Sequence, residues 1–480
     1  MSATTIKEPP AGDIGRNRWF LSSAPIVRSL IHLCVPMAAA MIVGAIYNLI
    51  NAGVIGSLHI TVLLAAITLG SPILGLVMAV GNVFGVGGGA FISRLMGAAE
   101  HDATAAGDIK RVSAFSFWGS ILAGAVIGAA GLLMLDPIVS ILGASGEAFT
   151  ATRAFVGVLL AFVPVLAAAV CLEQLVRAEG AARQVVIGLI ASTIMNLLFD
   201  VLFILVLHWG VAGAALATGL ANLVLVLYFA FWLTRNSEYA SLDPRWFTLA
   251  AHVTKPVLGV GISTLLQSAF LIVTALVLNN LAAGYGDGPL AAMGVAVRIA
   301  QVPEFLLMGV TFGILPLLAY SYGKGDRNRL SEALRKSAVA VGGIALVSSA
   351  VVFVFRDQVF EAFISDPSVL TIGVVVLTAQ LVAMIANAFT GLITSLFQAT
   401  GRALAATIMS VTQGILFIPV VLLGNLWFGL TGIIWALTTT EVAVLITGLV
   451  LWIASRGAIE RGLAEGSPER AEAALDEQPA

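Results

Sequence analysis

The stretch GGGAFISRLMGAAEH, residues 87–101, has a counterpart 226 residues later in GILPLLAYSYGKGDR, residues 313–327. Two further pairs of stretches repeat in the same order: RAEGAARQ with QATGRALA, and VAGAALA with LTGIIWA. Because three pairs keep their order at nearly constant spacing, we interpret them as an internal repeat rather than as chance similarity between apolar segments. The chain is therefore expected to consist of two structurally similar halves.

Each half contains apolar stretches long enough to cross a membrane. The sequence is 59% hydrophobic and only 10% charged, and its mean hydropathy is +1.02. A membrane span needs about 20 apolar residues. Twelve such stretches begin near Leu30, Val62, Val112, Thr150, Arg183, Val211, Val257, Leu290, Ser337, Val369, Leu404 and Thr431. Six spans return each half to its starting side, so the repeats must be parallel. The predicted fold class is an all-α polytopic membrane protein of about 12 transmembrane helices in two parallel six-helix repeats.

The basic residues predict how the chain is oriented in the membrane. Of the 24 lysines and arginines, all except Arg153, Arg298 and Arg356 lie in the termini or in the alternate gaps on the same side. Cytoplasmic loops carry an excess of Lys and Arg. We therefore expect a multi-pass protein of the inner (plasma) membrane with both termini in the cytoplasm.

The polar gaps also predict the domain organisation. Residues 1–28 would form a cytoplasmic tail, residues 236–255 a cytoplasmic linker, and residues 456–480 a second cytoplasmic tail, which its polar composition predicts to be disordered. The two six-helix lobes are predicted over residues 29–235 and 256–455.

Several functional classes are disfavoured by the sequence. It has no GxxxxGK[ST] motif of ATP-hydrolysing proteins and no polar stretch long enough for a soluble domain. It also has no His-rich metal set and no nucleophile constellation, so we expect no enzymatic activity, cofactor, metal or nucleic-acid partner. The two-lobed repeat indicates a secondary transporter, whose energy would come from a gradient of H⁺ or Na⁺.

Four motifs in order along the chain carry a resemblance to one family. They are PMAAAMIVGAIYNLINAGVIG from Pro36, VRAEG from Val176, NLLFDVLFIL from Asn196 and GVAGAALAT from Gly210. With them the chain resembles the multidrug and toxic compound extrusion (MATE) family of the MOP flippase superfamily, from about Leu30 to Leu451. The resemblance implies a V-shaped pair of lobes that exports amphipathic, often cationic compounds against an inward flow of protons or sodium.

The resemblance also implies a site for the coupling cation. In the branch of the family that the chain most resembles, one carboxylate in the first span faces another in the fifth. Asp200 matches the second carboxylate and Asn196 its asparagine partner, whereas Asn51 stands where the family pattern YNxxD has aspartate. A proton there must be carried by Asp200 or by a substitute. Glu173 is the candidate substitute, although its i,i+4 spacing to Arg177 fits an ordinary ion pair equally well.

Asp200 stands out on physical grounds as well. A charged residue at the centre of a membrane helix costs about 2.5–3.5 kcal/mol on insertion scales, so it needs an interior partner or a function. Further candidates for contacts with substrate or between lobes are Tyr47, Asn48, Gln267, Asn280, Glu304, Gln398 and Glu441. Tyr47 and Asn48 fit helix packing equally well, whereas Gln267, Asn280 and Gln398 each fit packing better than function. Kinks are predicted at Pro36, Pro256 and Pro419.

The expected function is secondary active efflux, in which H⁺ or Na⁺ antiport drives amphipathic drugs or toxic organic compounds out of the cytoplasm. One alternative is a dedicated exporter of a single endogenous metabolite, which the missing carboxylate at Asn51 favours. Another is a lipid-linked precursor flippase of the same superfamily, which would need a cationic cavity. The expected partners are a small amphipathic organic substrate and the lipid bilayer, and the protein is expected to act as a monomer.

Overall fold

The computed structural model describes residues 13–57, 61–361 and 367–465, with side chains throughout except at 13–14, 45–57, 61–65, 147, 279, 287, 367–368 and 465. All regular structure in these ranges is helical. The α-helices are α1 (Asp13–Ser22), α2 (Ile26–Ser57), α3 (Thr61–Ala98), α4 (Thr104–Leu133), α5 (Leu135–Ile141), α6 (Glu147–Ala178), α7 (Ala182–Asp200), α8 (Gly210–Asn236), α9 (Ala251–Ala283), α10 (Asp287–Gly323), α11 (Arg327–Val354), α12 (Arg356–Glu361), α13 (Pro367–Ala399), α14 (Ala403–Phe428) and α15 (Leu430–Glu465). A π-helical segment, Val201–Val206, follows α7 directly.

Within the described ranges, twelve helices are long and apolar enough to cross a membrane. They are α2, α3, α4, α6, α7 with its π-helical extension, α8, α9, α10, α11, α13, α14 and α15. The predicted all-α fold of about 12 spans is confirmed. Two spans begin at least eight residues earlier than predicted, at Thr104 instead of Val112 and at Arg327 instead of Ser337. The reason is that charged residues end an apolar stretch without ending the helix that contains it.

The described structure divides into two compact units. Unit 1 comprises Met1–Ala24 and Val43–Leu265, and unit 2 comprises Pro25–Ile42 and Leu266–Ala480. The first span of each repeat is therefore shared, because the first part of α2 belongs to unit 2 and the first part of α9 to unit 1. These compact units differ from the two contiguous lobes that the polar gaps predict, and the lobe boundaries stay a prediction.

Glycines bring the shared helices close to their neighbours in both units. In unit 1, a Cβ atom on Gly87 of α3 would lie 2.0 Å from the carbonyl oxygen of Val257 in α9. In unit 2, a Cβ atom on Gly313 of α10 would lie 2.7 Å from the Cα atom of Cys34 in α2. Small residues allow such close approach of membrane helices. Because Gly87 and Gly313 begin the repeated stretches, the sequence repeat marks an equivalent helix contact in each unit.

Each unit is built around one central helix. In unit 1, α6 packs against α3, α4 and α8, and in unit 2, α13 packs against α10, α11 and α15. Leu159 and Val163 of α6 belong to the buried apolar core of unit 1. Phe397 of α13 is buried with Met409 and Val444 of the two following helices. The fourth span of each repeat therefore supplies the core on which the other spans pack.

The two predicted tails need correction. Helix α1 lies within the predicted N-terminal tail, and α15 continues to Glu465. The prediction of disorder is wrong for residues 456–465, because Ile459 and Leu463 are buried on one face of α15. Residues 1–12 and 466–480, the remaining parts of the predicted tails, lie outside the described residues.

Helix α1 and the segment after α8 are joined beside the end of α6. The Arg18 guanidinium donates a hydrogen bond to the Tyr239 hydroxyl at 3.0 Å and pairs with the Glu238 carboxylate at 3.4 Å. The Ser237 hydroxyl donates to the carboxylate of Glu179, which is buried. Burial raises the pKa of the Glu179 carboxyl to about 7, the Ser237 hydrogen bond opposes this rise, and the Glu238 carboxylate adds to it.

The raised pKa of Glu179 predicts that the contact between α1 and the segment after α8 weakens as pH rises. The ordinary pKa is 4.5, so the folded protein holds the proton more tightly than the unfolded chain does. The resulting stability is fully present below about pH 4.5 and is lost as pH rises from there to about 7, by on the order of 3 kcal/mol. Hydrogen exchange of the α1 amides should accelerate over this interval.

The matched variants are Glu179→Gln and Glu238→Gln. We expect Glu179→Gln to remove most of the pH dependence of the α1 protection factors, which exclude the intrinsic acceleration of amide exchange with pH. Glu238→Gln should retain it, because the Glu238 side chain is 54% exposed. An unchanged pH profile in Glu179→Gln would show that another group controls the contact.

Candidate functional site

A stripe of buried residues on α7 forms the candidate site of unit 1. Its members are Ala182, Val185, Gly188, Ser192, Asn196 and Asp200. Spacings of three or four residues place them on one helix face. Asn196 is 8% exposed and Asp200 is 7% exposed. The stripe is apolar at its start and polar at its end, so it places a carboxamide and a carboxylate one turn apart in the interior.

The backbone changes its helical form immediately after Asp200. Asp200 ends α7, and the π-helical segment begins at the next residue. The rings of Phe199 and Phe203 stack with centroids 5.7 Å apart, and those of Phe203 and Trp209 stack at 5.3 Å. π-Helical turns within α-helices are frequent at functional sites. The aromatic stack holds the turn that carries Asp200 and thereby positions its carboxylate.

Contacts with α8 hold the same face of α7 inside the unit. The Ser192 hydroxyl donates a hydrogen bond to the Ala221 carbonyl at 2.9 Å. A Cβ atom on Gly188 would lie 2.6 Å from the Phe229 ring. Because small residues allow this close approach, the interior direction of the Asn196 and Asp200 side chains is set by packing along the whole helix.

The predicted partners from the first span are Tyr47, Asn48 and Asn51. They lie on α2, but their side chains fall outside the described residues. The predicted juxtaposition of Asn51 with Asp200 therefore stays a prediction, as does the role of each residue in cation coupling.

Glu173 takes part in a polar network between α6 and α3. Its carboxylate forms an ion pair with Arg177, whose side chain is only 2% exposed. Arg177 also donates to the Gln174 side-chain oxygen at 2.8 Å, and Gln174 donates to the Asn82 side-chain oxygen at 3.2 Å. The structure thus shows the ion pair that the i,i+4 spacing allows. Hydrogen bonds through Gln174 connect this pair with Asn82 on a second span, α3.

Gln174 and Asn82 were not among the residues selected from the sequence. The sequence gives only a weak indication that these two amides are functional, since intramembrane amides commonly link helices. The available indication is that Gln174 lies between Glu173 and Arg177 in the stretch CLEQLVRAEG. Asn82 is far away in sequence, and only the packing of α3 on α6 brings it near.

Unit 2 has its own buried carboxylate, on α15. Glu441 is 4% exposed, and its Oε1 accepts a hydrogen bond from the Gln413 side chain of α14 at 2.7 Å. Among the described residues, the second oxygen of Glu441 has no hydrogen-bond partner. Glu304 of α10 lies close enough to interact with it electrostatically. The structure therefore brings Glu304 and Glu441 together, as two of the candidates selected from the sequence.

The remaining candidates are not gathered around Glu441. Gln267 and Asn280 are exposed on α9, and Asn280 donates to the Leu276 carbonyl of its own helix at 3.1 Å. Gln398 is buried on α13. Among the described residues, no hydrogen bond connects these three side chains with Glu441. Their proposed contacts with substrate stay predictions.

The three selected prolines all lie inside helices. Pro36 is in α2, Pro256 in α9 and Pro419 in α14. Pro36 and Pro256 precede the points at which α2 and α9 pass from one compact unit to the other. A proline frees a backbone carbonyl within a helix. Helices α2 and α9 therefore each lose one backbone hydrogen bond shortly before they pass from one compact unit to the other. The predicted kinks remain predictions.

Within the described ranges, twelve apolar spans with buried carboxylates on two of them fit a multi-pass membrane protein of the transporter class. Residues 36–202 and 260–423 match the model of the MatE family, which covers more than half of the chain. The chain belongs to this family, and the resemblance seen in its motifs is confirmed.

Relatives and solved structures agree with this assignment. The chain is 31% identical over 433 residues to the multidrug export protein MepA of Staphylococcus aureus strain MRSA252. The alignment covers 90% of this chain and 95% of the relative. One solved structure superposes on this chain with a TM-score of 0.83. It is described as the outward-facing conformation of a multidrug resistance MATE family transporter of the MOP superfamily. It is 22% identical and covers 93% of this chain and 99% of its own.

A second solved structure has the same fold. It is a MOP superfamily transporter from Pyrococcus furiosus, described by a binding pocket of reverse polarity that suggests a different function. It is 22% identical, covers 93% of this chain and 99% of its own, and has a TM-score of 0.83. At this identity, both solved structures show the fold alone.

Proposed function

We propose that this protein is a secondary active efflux transporter that exchanges H⁺ or Na⁺ for amphipathic organic compounds. The observation that carries the proposal is the buried carboxylate of Asp200 at the end of the polar stripe on α7. It is supported by the relative MepA, a multidrug export protein that aligns with 90% of the chain.

Asp200 supplies the chemistry that such coupling needs. An ionised carboxylate inside a membrane protein is costly unless it is paired, so binding of a proton or a sodium ion offsets part of that cost. Sodium prefers several oxygen ligands, and the Asn196 side chain one turn away carries a second oxygen. A site that gains its cation on one side and releases it on the other couples the gradient to substrate movement.

The proposed orientation of the protein in the membrane follows from the basic residues. The gaps that contain most lysines and arginines include the region around the start of α11, with Lys324 and Arg327, and the end of α15, with Arg456. Such loops are expected on the cytoplasmic side. We therefore place both termini in the cytoplasm and the protein in the inner membrane, acting as a monomer without a cofactor.

The test is transport by the purified protein in liposomes that contain a pH-sensitive dye. An imposed proton gradient is followed before and after addition of a lipophilic cation such as ethidium, and the experiment is repeated with a sodium gradient. We expect the cation to dissipate one of the two gradients only in vesicles that contain the protein. The gradient that responds identifies the coupling ion.

Matched neutral and anionic organic compounds complete the experiment. Strict preference for lipophilic cations would support the multidrug proposal. If neither gradient responds to any amphipathic cation, the proposal of cation-coupled drug export is wrong. A response to an anionic compound alone would favour a dedicated exporter, the alternative that Asn51 suggests.

A further inference from the structure

A groove of about 330 Å³ lies in unit 2 between the start of α11 and the end of α15. Both helices pack against α13, which contributes Leu396 to the lining. Leu330 of α11 and Ile459 of α15 contribute buried apolar surface. Trp452 lies about two turns before Ile459, and 37% of its surface is exposed. The groove therefore has an apolar wall from each of three spans.

Two arginines lie in the lining of this groove, one on each side. Arg327 Nη2 contacts Glu460 Oε1 at 2.9 Å, and Arg456 Nε contacts the same oxygen at 3.3 Å. The arginine side chains are 66% and 71% exposed, and each contact to Glu460 uses one guanidinium nitrogen. Their other N–H groups remain accessible to a ligand. The three side chains together carry one net positive charge.

The length of α15 places this groove at the level of lipid headgroups. The helix has 36 residues, so it extends about 54 Å at about 1.5 Å per residue. The hydrocarbon layer is only about 30 Å thick. The last turns of α15, from Trp452 onward, must therefore leave the hydrocarbon. Trp is enriched at this interface because one part of its ring system is apolar and the other is polar.

We propose that this groove binds an anionic phospholipid. Its phosphodiester group lies against Arg327 and Arg456, and the upper part of its acyl chains lies against Trp452 and the leucines of α11 and α13. Basic pockets between membrane helices bind anionic headgroups on the cytoplasmic side, which is where the proposed orientation places this groove. The site is separate from Asp200 and goes beyond the proposed transport function.

Charge and shape together favour a lipid over a free anion. One phosphodiester charge matches the single net positive charge of the arginine pair with Glu460. A free phosphate would leave Trp452 and Leu396 uncovered, whereas a lipid covers the apolar wall and the arginines at once. Burial of apolar surface contributes about 25 cal/mol per Å². Contact of the acyl chains with the apolar wall therefore adds affinity to that of the ion pair between the phosphodiester and the arginines.

The test is native mass spectrometry of the purified protein, titrated with phosphatidylglycerol, phosphatidylcholine of the same acyl chains, or inorganic phosphate. The groove variant is Arg327→Gln/Arg456→Gln. Its control is Arg335→Gln/Arg461→Gln, which removes the same charge from exposed positions on α11 and α15 outside the groove. We expect the groove variant to bind phosphatidylglycerol about 30-fold more weakly and the control to bind it as the wild type does.

Two single variants separate the parts of the site. Glu460→Gln removes the competing carboxylate, so it should bind phosphatidylglycerol more tightly than the wild type does. Trp452→Ala should weaken phosphatidylglycerol binding and leave phosphate binding unchanged. Equal loss in the groove and control variants would overturn the proposal. So would equal binding of the two lipids, or binding of inorganic phosphate as tight as that of phosphatidylglycerol. Helical content measured by circular dichroism checks that each variant is folded.

Discussion

Asp200→Asn is expected to reduce gradient-driven efflux to the level of empty liposomes. Asparagine nearly preserves the volume of aspartate and keeps one oxygen, but it can carry neither a proton nor a charge that attracts sodium at neutral pH. The buried polar end of the α7 stripe would persist, while the exchangeable cation would be lost. The measurement is dissipation of the coupling gradient on addition of a transported cation.

The matched control for this variant is Asp136→Asn. Asp136 lies on α5, its side chain is 60% exposed, and it pairs with the equally accessible Arg153. Exposed pairs of this kind contribute about 0–1 kcal/mol, so transport and stability should change little. Substrate binding by Asp200→Asn, followed separately, shows whether the variant still forms the transport site. Full efflux by Asp200→Asn would remove Asp200 from the coupling mechanism.

The fold could largely be predicted from the sequence, because a bilayer imposes a simple rule on chain composition. Apolar length located the twelve spans, and the repeated stretches at Gly87 and Gly313 related the two halves. The starts of α4 and α11 were placed too late, since charged residues continue a helix beyond the hydrocarbon. The sharing of α2 and α9 between units was not predicted, because it depends on which distant helices approach each other.

The candidate site could be predicted only in part. Asp200 was recognisable because a carboxylate inside an apolar span is costly and therefore conspicuous, whereas Asn196 was selected through the family resemblance. The link from Gln174 to Asn82 was missed, because neither amide is conspicuous and 92 residues separate them. The hydrogen bond from Gln413 to Glu441 was missed because it depends on how α14 packs on α15. Local sequence predicts which groups are unusual, whereas tertiary packing decides which groups meet.

Arg177→Met is expected to destabilise the protein by about 3–5 kcal/mol, because it leaves the carboxylate of Glu173 without its counter-charge inside the membrane region. The Glu173 side chain is 15% exposed and that of Arg177 is 2% exposed, so water compensates little. The variant also loses the hydrogen bond to Gln174. Unfolding of the detergent-solubilised protein, followed by circular dichroism, measures the change in unfolding free energy.

The chain offers a control pair with the same sequence spacing. Glu332 and Lys336 of α11 are also i,i+4, but their side chains are 45% and 34% exposed. Lys336→Met should therefore change the free energy of unfolding by less than about 1 kcal/mol. An equally small effect of Arg177→Met would show that the buried pair contributes no more than an exposed one.

The double variant Glu173→Gln/Arg177→Met decides what Glu173 does. Removing both charges eliminates the unpaired carboxylate, so stability should return to within about 1–2 kcal/mol of the wild type, since neutral replacement of a buried pair is often tolerated. Efflux by this stable variant then separates the two roles. Wild-type efflux would assign Glu173 to helix packing through Arg177, Gln174 and α3. Loss of efflux with stability retained would place Glu173 beside Asp200 in coupling, as the substitute carboxylate that Asn51 requires.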